Sequence, residues 1–484
     1  MILWALALGG CFGEHSFPMN PARALFFKQS QLATDSTALS TRHWAARAAT
    51  LAAPLLPGDA DAVLTTDDLS KNGQIIDVYR HFDVNPANLD DIFTNLDGLE
   101  QTAQVVSPDR ELDARGHLVR PAWRNFTDVD VPGSDGTPLY GRLSDPLPPA
   151  RMATLSHAPT ASHGSPGALA NLISPPVDTG TYIIVSHGLF GSIDGMDMEN
   201  QVTALRSAGF HVLAIEMRGH GETQCRHPEA TLSFGIHESA DLLSAARWLK
   251  SKYHARRVGL ICFSLGGYEG LLTAWLDGAR PVTRFGDLPF LADLPRPAAE
   301  PAFNAGMVIV SSPIDIISTA DEFDTHHTLL EAPMKATFQE HIARRVTLYN
   351  EPATYSMWGL AESEFYRSGW GTKYGSFEAL KPELLRFMDL KGDDWNEGVR
   401  RMENVRVPVL MINSANDPLG TAQGVADLFG RVKNPNIGVV MTSEGGHMAF
   451  TAYAPDYYYT LLLNFFNPAT GPVAQSPLPL AQTP

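Results

Sequence analysis

Cysteine is nearly missing from this chain: there are three in 484 residues, Cys11, Cys225 and Cys262. So few cannot build a disulfide framework, and no two stand at the C-x-x-C spacing of a structural zinc site. Basic residues are also scarce, 36 Lys and Arg against 53 Asp and Glu, for a formal net charge of −17. Phosphate backbones are held by clustered Lys and Arg, so nucleic acid is excluded as a partner. No apolar run approaches the ~18 residues of a membrane-spanning helix. What remains is ordinary globular material, 44% hydrophobic and 18% charged. The length allows one large domain with additions.

The first residues leave two readings open. Residues 1–13 are apolar and include Leu8-Gly9-Gly10-Cys11, which resembles the lipobox of bacterial lipoproteins. Cys11 would then carry a lipid anchor and hold the protein at a membrane outside the cytoplasm. Against this, the run is short and no Lys or Arg precedes it. The other reading is an apolar segment packed on the core of a cytoplasmic protein, or a start codon placed too far downstream.

Residues 14–118 read as mostly helical, with helices expected over 41–55 and 88–104 and a break at Pro57-Gly58. Residues 119–466 alternate short β-branched runs with longer amphipathic stretches, the pattern of an α/β domain with a mostly parallel sheet under helices. Eight strands are expected, over 126–131, 139–143, 182–186, 211–215, 258–262, 307–310, 407–412 and 437–441. The first two flank the turn signal Ser134-Asp135-Gly136. Helices are expected over 198–208 and 238–250, and a Pro, Ala and Ser-rich loop over 146–176. Roughly ninety residues separate the strand at 307–310 from the one at 407–412, far more than a crossover needs. Residues 317–405 therefore form a candidate helical cap. Its aromatics (Tyr349, Tyr355, Trp358, Phe365, Tyr366, Trp370) line a pocket or fill the insertion's own core. Residues 467–484 form a Pro-rich tail, expected to be loose.

The chemistry starts at Val258-Gly259-Leu260-Ile261-Cys262-Phe263-Ser264-Leu265-Gly266-Gly267. An apolar strand runs into a serine flanked by small residues and then into a helix, the context of a G-x-S-x-G nucleophile elbow. The turn must be tight to lift Ser264 above the sheet edge. Gly266 suits it, while Cys262 stands where the first glycine is usual. Serine needs a base, and the base needs an orienting carboxylate. Asp417 follows the strand at 407–412, and His447 follows the strand at 437–441 through Gly445-Gly446. Ligands of open α/β sheets lie beyond the carboxyl ends of strands, where all three residues fall. Asp315 is the reserve for the acid, ahead of Glu444. After the strand at 182–186, His187-Gly188-Leu189 supplies a loop whose Leu189 N–H joins that of Leu265 as an oxyanion hole, with His187 bracing the loop. Met217-Arg218-Gly219-His220-Gly221 reads as a second bracing turn. His227, His237 and His326-His327 lack metal-ligand spacing.

His187-Gly188, Arg218-Gly219-His220-Gly221, Phe263-Ser264-Leu265-Gly266-Gly267, Asn416-Asp417-Pro418 and Gly445-Gly446-His447 together resemble the α/β-hydrolase superfamily. Ser311-Ser312-Pro313-Ile314-Asp315 and Asn434-Pro435-Asn436 resemble its YheT-like esterase branch. The resemblance implies an eight-stranded α/β-hydrolase fold and hydrolysis of carboxylic esters, acyl or acylglycerol-like, with neither metal nor organic cofactor. The partner would be a small ester with an apolar acyl group. Two alternatives stay open: an acyltransferase using the same acyl-enzyme, and a hydrolase fold serving only as a binding module.

Overall fold

The computed structural model describes residues 39–56, 63–72, 125–146, 178–278 apart from 195, 299–325, 356–447 apart from 393, 454–475, and the single residues 339, 342, 343 and 345. Cys11, the helix expected over 88–104, the loop over 147–176, Tyr349 and Tyr355 lie outside them.

In chain order the N-terminal elements are α1 (Thr41–Ala52), β1 (Val63–Thr65) and α2 (Thr66–Asn72). A hairpin follows, β2 (Thr127–Pro132) and β3 (Pro138–Ser144). The chain then alternates: β4 (Thr181–Ser186), α3 (Met196–Ser207), β5 (His211–Ile215), α4 (Gly221–Arg226), α5 (Ile236–Lys252), β6 (Arg257–Phe263), α6 (Leu265–Gly278) and β7 (Gly306–Val310). Five described helices precede the next strand: α7 (Ile316–Thr325), α8 (Met357–Arg367), α9 (Trp370–Tyr374), α10 (Phe377–Met388) and α11 (Asn396–Glu403). The end comprises β8 (Val409–Ser414), α12 (Ala422–Phe429), β9 (Ile437–Thr442) and α13 (Pro455–Phe466).

One sheet of nine strands runs β1-β9-β8-β7-β6-β4-β5-β3-β2. From β5 through β9 every pairing is parallel, while β1, β2 and β3 join antiparallel. Alternate side chains of β4 enter different cores, Ile184 beside α5 and α6, Ile183 and Val185 beside α1, α3 and α13. Burial on both faces explains why these strands read as continuous apolar runs.

The expectation of eight strands is corrected to nine. The extra strand comes from the region read as mostly helical, where Val63–Thr65 pairs with Val440–Thr442 on the exposed edge of β9. Three residues bounded by turn signals carry no periodicity, and only the partner edge makes them a strand. Helix α1 presses on the same strand. A Cβ on Gly438 would lie 2.7 Å from both the Thr41 carbonyl oxygen and the Ala45 methyl, so glycine there and the buried Ala45, Ala48, Ala49 and Ala52 permit the close approach. Arg42 pairs with Asp67 at 2.6 Å and donates to the Val432 carbonyl. The start of the tail is likewise anchored rather than loose: Trp44 Nε1 donates to the Thr470 carbonyl at 2.6 Å, and Asn436 exchanges hydrogen bonds with Gln475. Both tail contacts satisfy buried polar groups that would otherwise be costly.

Candidate active site

Ser264 sits between β6 and α6 with φ 54°, a left-handed conformation that a non-glycine residue holds at a cost of about 1–3 kcal/mol. Neighbouring elements impose it. The Ser264 N–H donates to Val310 O on β7 at 3.0 Å, and Ser264 O accepts from Tyr268 N at 3.1 Å. A Cβ on Gly266 would stand 2.3 Å from the His187 carbonyl oxygen, and one on Gly188 would stand 2.8 Å from Ser264 Cβ. The elbow and the loop after β4 therefore touch backbone to backbone. Cys262, the unexpected member of the motif, is accommodated from above: a Cβ on Gly270 of α6 would lie 3.2 Å from its Sγ. The space usually left by the first glycine of the elbow is left here by a glycine one helical turn further on. Burial pushes the Cys262 thiol well up, so it stays a neutral packing group.

Asp417 and His447 arrive on the loops after β8 and β9. His447 Nδ1 is 2.9 Å from Asp417 Oδ1, and His447 Nε2 is 2.7 Å from Ser264 Oγ. The backbone N–H groups of Leu419 and Gly420 donate to Asp417 Oδ1 at 2.9 and 2.7 Å. Ser414 Oγ donates to Gly446 O at 3.0 Å, and Asn416 Oδ1 accepts from Gly446 N at 2.9 Å. These two ties fix the turn that presents His447. The sequence reading gave no role to Ser414 or Gly420, and named Asn416 only within the Asn416-Asp417-Pro418 motif; the signal in each case is proximity to Asp417. Asp315 is engaged elsewhere, accepting from Ser318 N at the start of α7 and pairing with Lys391 at 2.5 Å. Glu444 is exposed.

Leu265 opens α6, and Leu189 follows Gly188 in the loop against Ser264. Among the described residues neither backbone N–H has a hydrogen-bond partner. Phe190 N, next along, donates to His220 Nε2 at 3.0 Å, while His220 Nδ1 lies 2.6 Å from the Arg218 carbonyl oxygen. His187 is buried, with Nδ1 2.7 Å from Gly188 O and Nε2 accepting from Met217 N at 3.2 Å. In both rings the carbonyl places a proton on Nδ1. The two histidines thus brace the loop, and His187 Nε2 also stands 3.0 Å from Glu216 Oε2.

Arg218 is buried and bridges Asp241 and Asp135, donating to both oxygens of each carboxylate. Burial pushes the Asp135 carboxyl up, but the hydrogen bonds and charge of Arg218 outweigh it and hold the group well below the usual carboxylate range. Removing one partner of a buried pair leaves the other unpaired. Arg218→Ala is therefore expected to lower the unfolding free energy by about 3–5 kcal/mol in urea titrations. A change below about 1 kcal/mol would show the pairing to be solvated.

From the helices between β7 and β8, Arg345 donates to Gly219 O and pairs with Glu364 at 2.7 Å. Tyr268 of α6 reaches the Met388 carbonyl at the end of α10. Both expectations for the aromatics hold in part. Phe365 is buried among Tyr366, Trp370 and Phe377, and with Trp358, Trp370 and Phe377 it lines an apolar pocket that Phe234 and Ile236 also line. Ser264, Asp417 and His447 do not line that pocket. Among the described residues no group of three or more His, Cys, Asp or Glu is placed to hold a metal ion. His227 lies beside Glu229 and His237 beside Trp370, while His326 and His327 fall outside the description.

The model of the alpha/beta hydrolase family matches residues 183–459, and the chain belongs to that family. Among solved structures it is similar to an esterase of Pyrococcus furiosus, at 17% identity over 73% of this chain and 96% of that one, with a TM-score of 0.41. It is also similar to a puromycin hydrolase, at 15% identity over 75% and 42% of the two chains and a TM-score of 0.42. An acylaminoacyl peptidase of Pyrococcus horikoshii shares 14% identity over 72% and 44%, with a TM-score of 0.38. No curated protein matches in sequence.

Proposed function

We propose that this hydrolase cleaves carboxylic esters through an acyl-enzyme on Ser264. The observation that carries the reading is the unbroken hydrogen-bond chain Ser264 Oγ–His447 Nε2 and His447 Nδ1–Asp417 Oδ1, at 2.7 and 2.9 Å. In this reading His447 takes the Ser264 proton as Oγ attacks the ester carbonyl. Asp417 holds the Nδ1–H tautomer and stabilises the imidazolium. The N–H groups of Leu189 and Leu265 receive the negative oxygen of the tetrahedral intermediate. His447 then protonates the leaving alcohol, and water, activated by the same imidazole, releases the acid and restores Ser264. An apolar acyl group and the YheT-like esterase branch belong to this proposal.

The same chemistry opens amides, so the deciding test compares p-nitrophenyl esters of increasing acyl length with aminoacyl p-nitroanilides. The expected result is higher kcat/KM on esters, rising with the apolar area of the acyl group. Turnover of the anilides in preference to every ester would make the protein a peptidase instead.

A further inference from the structure

A small cavity is formed by residues of α5 and α6, the end of β4 and the chain just after β5, and none of Ser264, Asp417 and His447 lines it. It is lined by Ser186, Glu216, Arg218, Glu238, Asp241 and Glu269, with apolar neighbours, and leaves about 10 Å³ for the centre of a water-sized occupant. Three of its carboxyl groups are supplied with N–H donors. Glu238 accepts from the Ser233 and Gly235 amides, Asp241 from Arg218 and Ser134 N, and Glu216 Oε1 from Ile193 N. Glu269 differs. It is fully buried, and neither carboxyl oxygen has a partner among the described residues; Ser186 Oγ has none either.

We infer that this cavity is a binding site for one water, and that Glu269 is a positioning residue which uses it to join the nucleophile helix to the end of β4. Ser186 is the last residue of β4, directly before the His187-Gly188-Leu189 loop, so the inference rests on the oxyanion role given to that loop. Room for a single water bounded by three polar side chains is the usual setting of a structural water, which makes about three hydrogen bonds. The site takes water rather than a cation, since no three ligands converge there among the described residues. Burial, with the nearby charges of Glu238 and Asp241, pushes the Glu269 carboxyl well above its usual range. Arg218 is committed to Asp241 and Asp135, Glu216 stands 3.0 Å from His187, and Cys262 is neutral. Glu269 is thus a neutral acid whose O–H donates to the water. The water donates in turn to Glu216 Oε2 and Ser186 Oγ. Glu216 lies against His187, the ring that braces the loop.

The test has a structural and a kinetic part. A high-resolution crystal structure of the wild type is expected to show one ordered water within hydrogen-bond distance of Glu269 and Ser186; a dry cavity overturns the site. Glu269→Leu, which fills the cavity without a donor, is expected to lower kcat on an ester substrate by up to about 100-fold with KM within about twofold. Glu269→Gln, which keeps a donor and an acceptor, should recover most of that loss. Equal activity of the Leu and Gln variants overturns the positioning role. If Glu269→Leu does not fold, Ser186→Ala must still lower kcat at unchanged KM, and unchanged kcat is equally fatal. Stability supplies a readout of the proton. A folded-state pKa raised above the unfolded one means that the contribution is complete below about pH 4.5 and declines as pH rises. The stability of the wild type relative to Glu269→Gln should therefore fall as pH is raised from 4.5, and a constant difference contradicts a neutral Glu269. A wild type inactive on all esters would sink the hydrolase reading while leaving the water site to be judged by the crystal structure.

Discussion

Ser264→Ala is expected to reduce kcat/KM on the best ester by about 10⁶-fold while leaving the folded state intact. The loss is that large because Ser264 Oγ is the oxygen aligned on the His447 base. His447 Nε2 has Ser264 Oγ at 2.7 Å, and the other buried nucleophile nearby, Cys262, is sealed under Gly270 with its thiol pushed up. Folding is spared because alanine meets the same backbone strain at φ 54° as serine does. The single lost hydrogen bond is worth about 1 kcal/mol. Residual turnover should stay well above the uncatalysed rate if the Leu189 and Leu265 N–H groups have the oxyanion role proposed for them. Kinetics and a urea titration on the same preparation measure both halves. A loss of only about tenfold would move the nucleophile elsewhere.

Asp417→Asn is expected to lower kcat by about 10⁴-fold with little change in KM. In the wild type Asp417 Oδ1 takes the Leu419 and Gly420 amides together with His447 Nδ1. An asparagine that keeps its oxygen on those amides puts its NH₂ at the Oδ2 position, which is 3.2 Å from His447 Nδ1 in the wild type. An NH₂ donating to the ring makes Nδ1 the acceptor, moves the ring proton to Nε2, and leaves Nε2 facing Ser264 Oγ without the lone pair that takes its proton. The geometry survives and the tautomer is wrong, so the defect falls on the chemical step rather than on binding. Single-turnover rates with a chromogenic ester separate the two. A raised KM at wild-type kcat would instead make Asp417 a binding residue. Asp315 offers no rescue, being held by Lys391 and the first turn of α7.

Much of this arrangement is legible in the sequence because the parallel strands are buried on both faces. Stretches such as Ile183-Ile184-Val185 declare themselves without a partner, and each strand end then points at the residue that follows. That is why Ser264, Asp417 and His447 can be named from order alone and are hydrogen-bonded to one another in the structure. What stays hidden depends on pairing across long distances. Val63–Thr65 is a strand only because β9 has a free edge. Cys262 looks like a flaw until Gly270 is seen above it, and Asp315 looks available until Lys391 arrives from 76 residues away. Glu269 is the deepest case. A glutamate in a helix reads as a solvated face, and only its complete burial beside Ser186 and Glu216 gives it a role.

The most direct measurement is to react the wild type with a fluorophosphonate and locate the adduct by peptide mass spectrometry. The account predicts one phosphonyl group, on Ser264, formed quickly in the wild type, slowly in Asp417→Asn and not at all in Ser264→Ala. An adduct on any other residue, or no adduct at all, would contradict it.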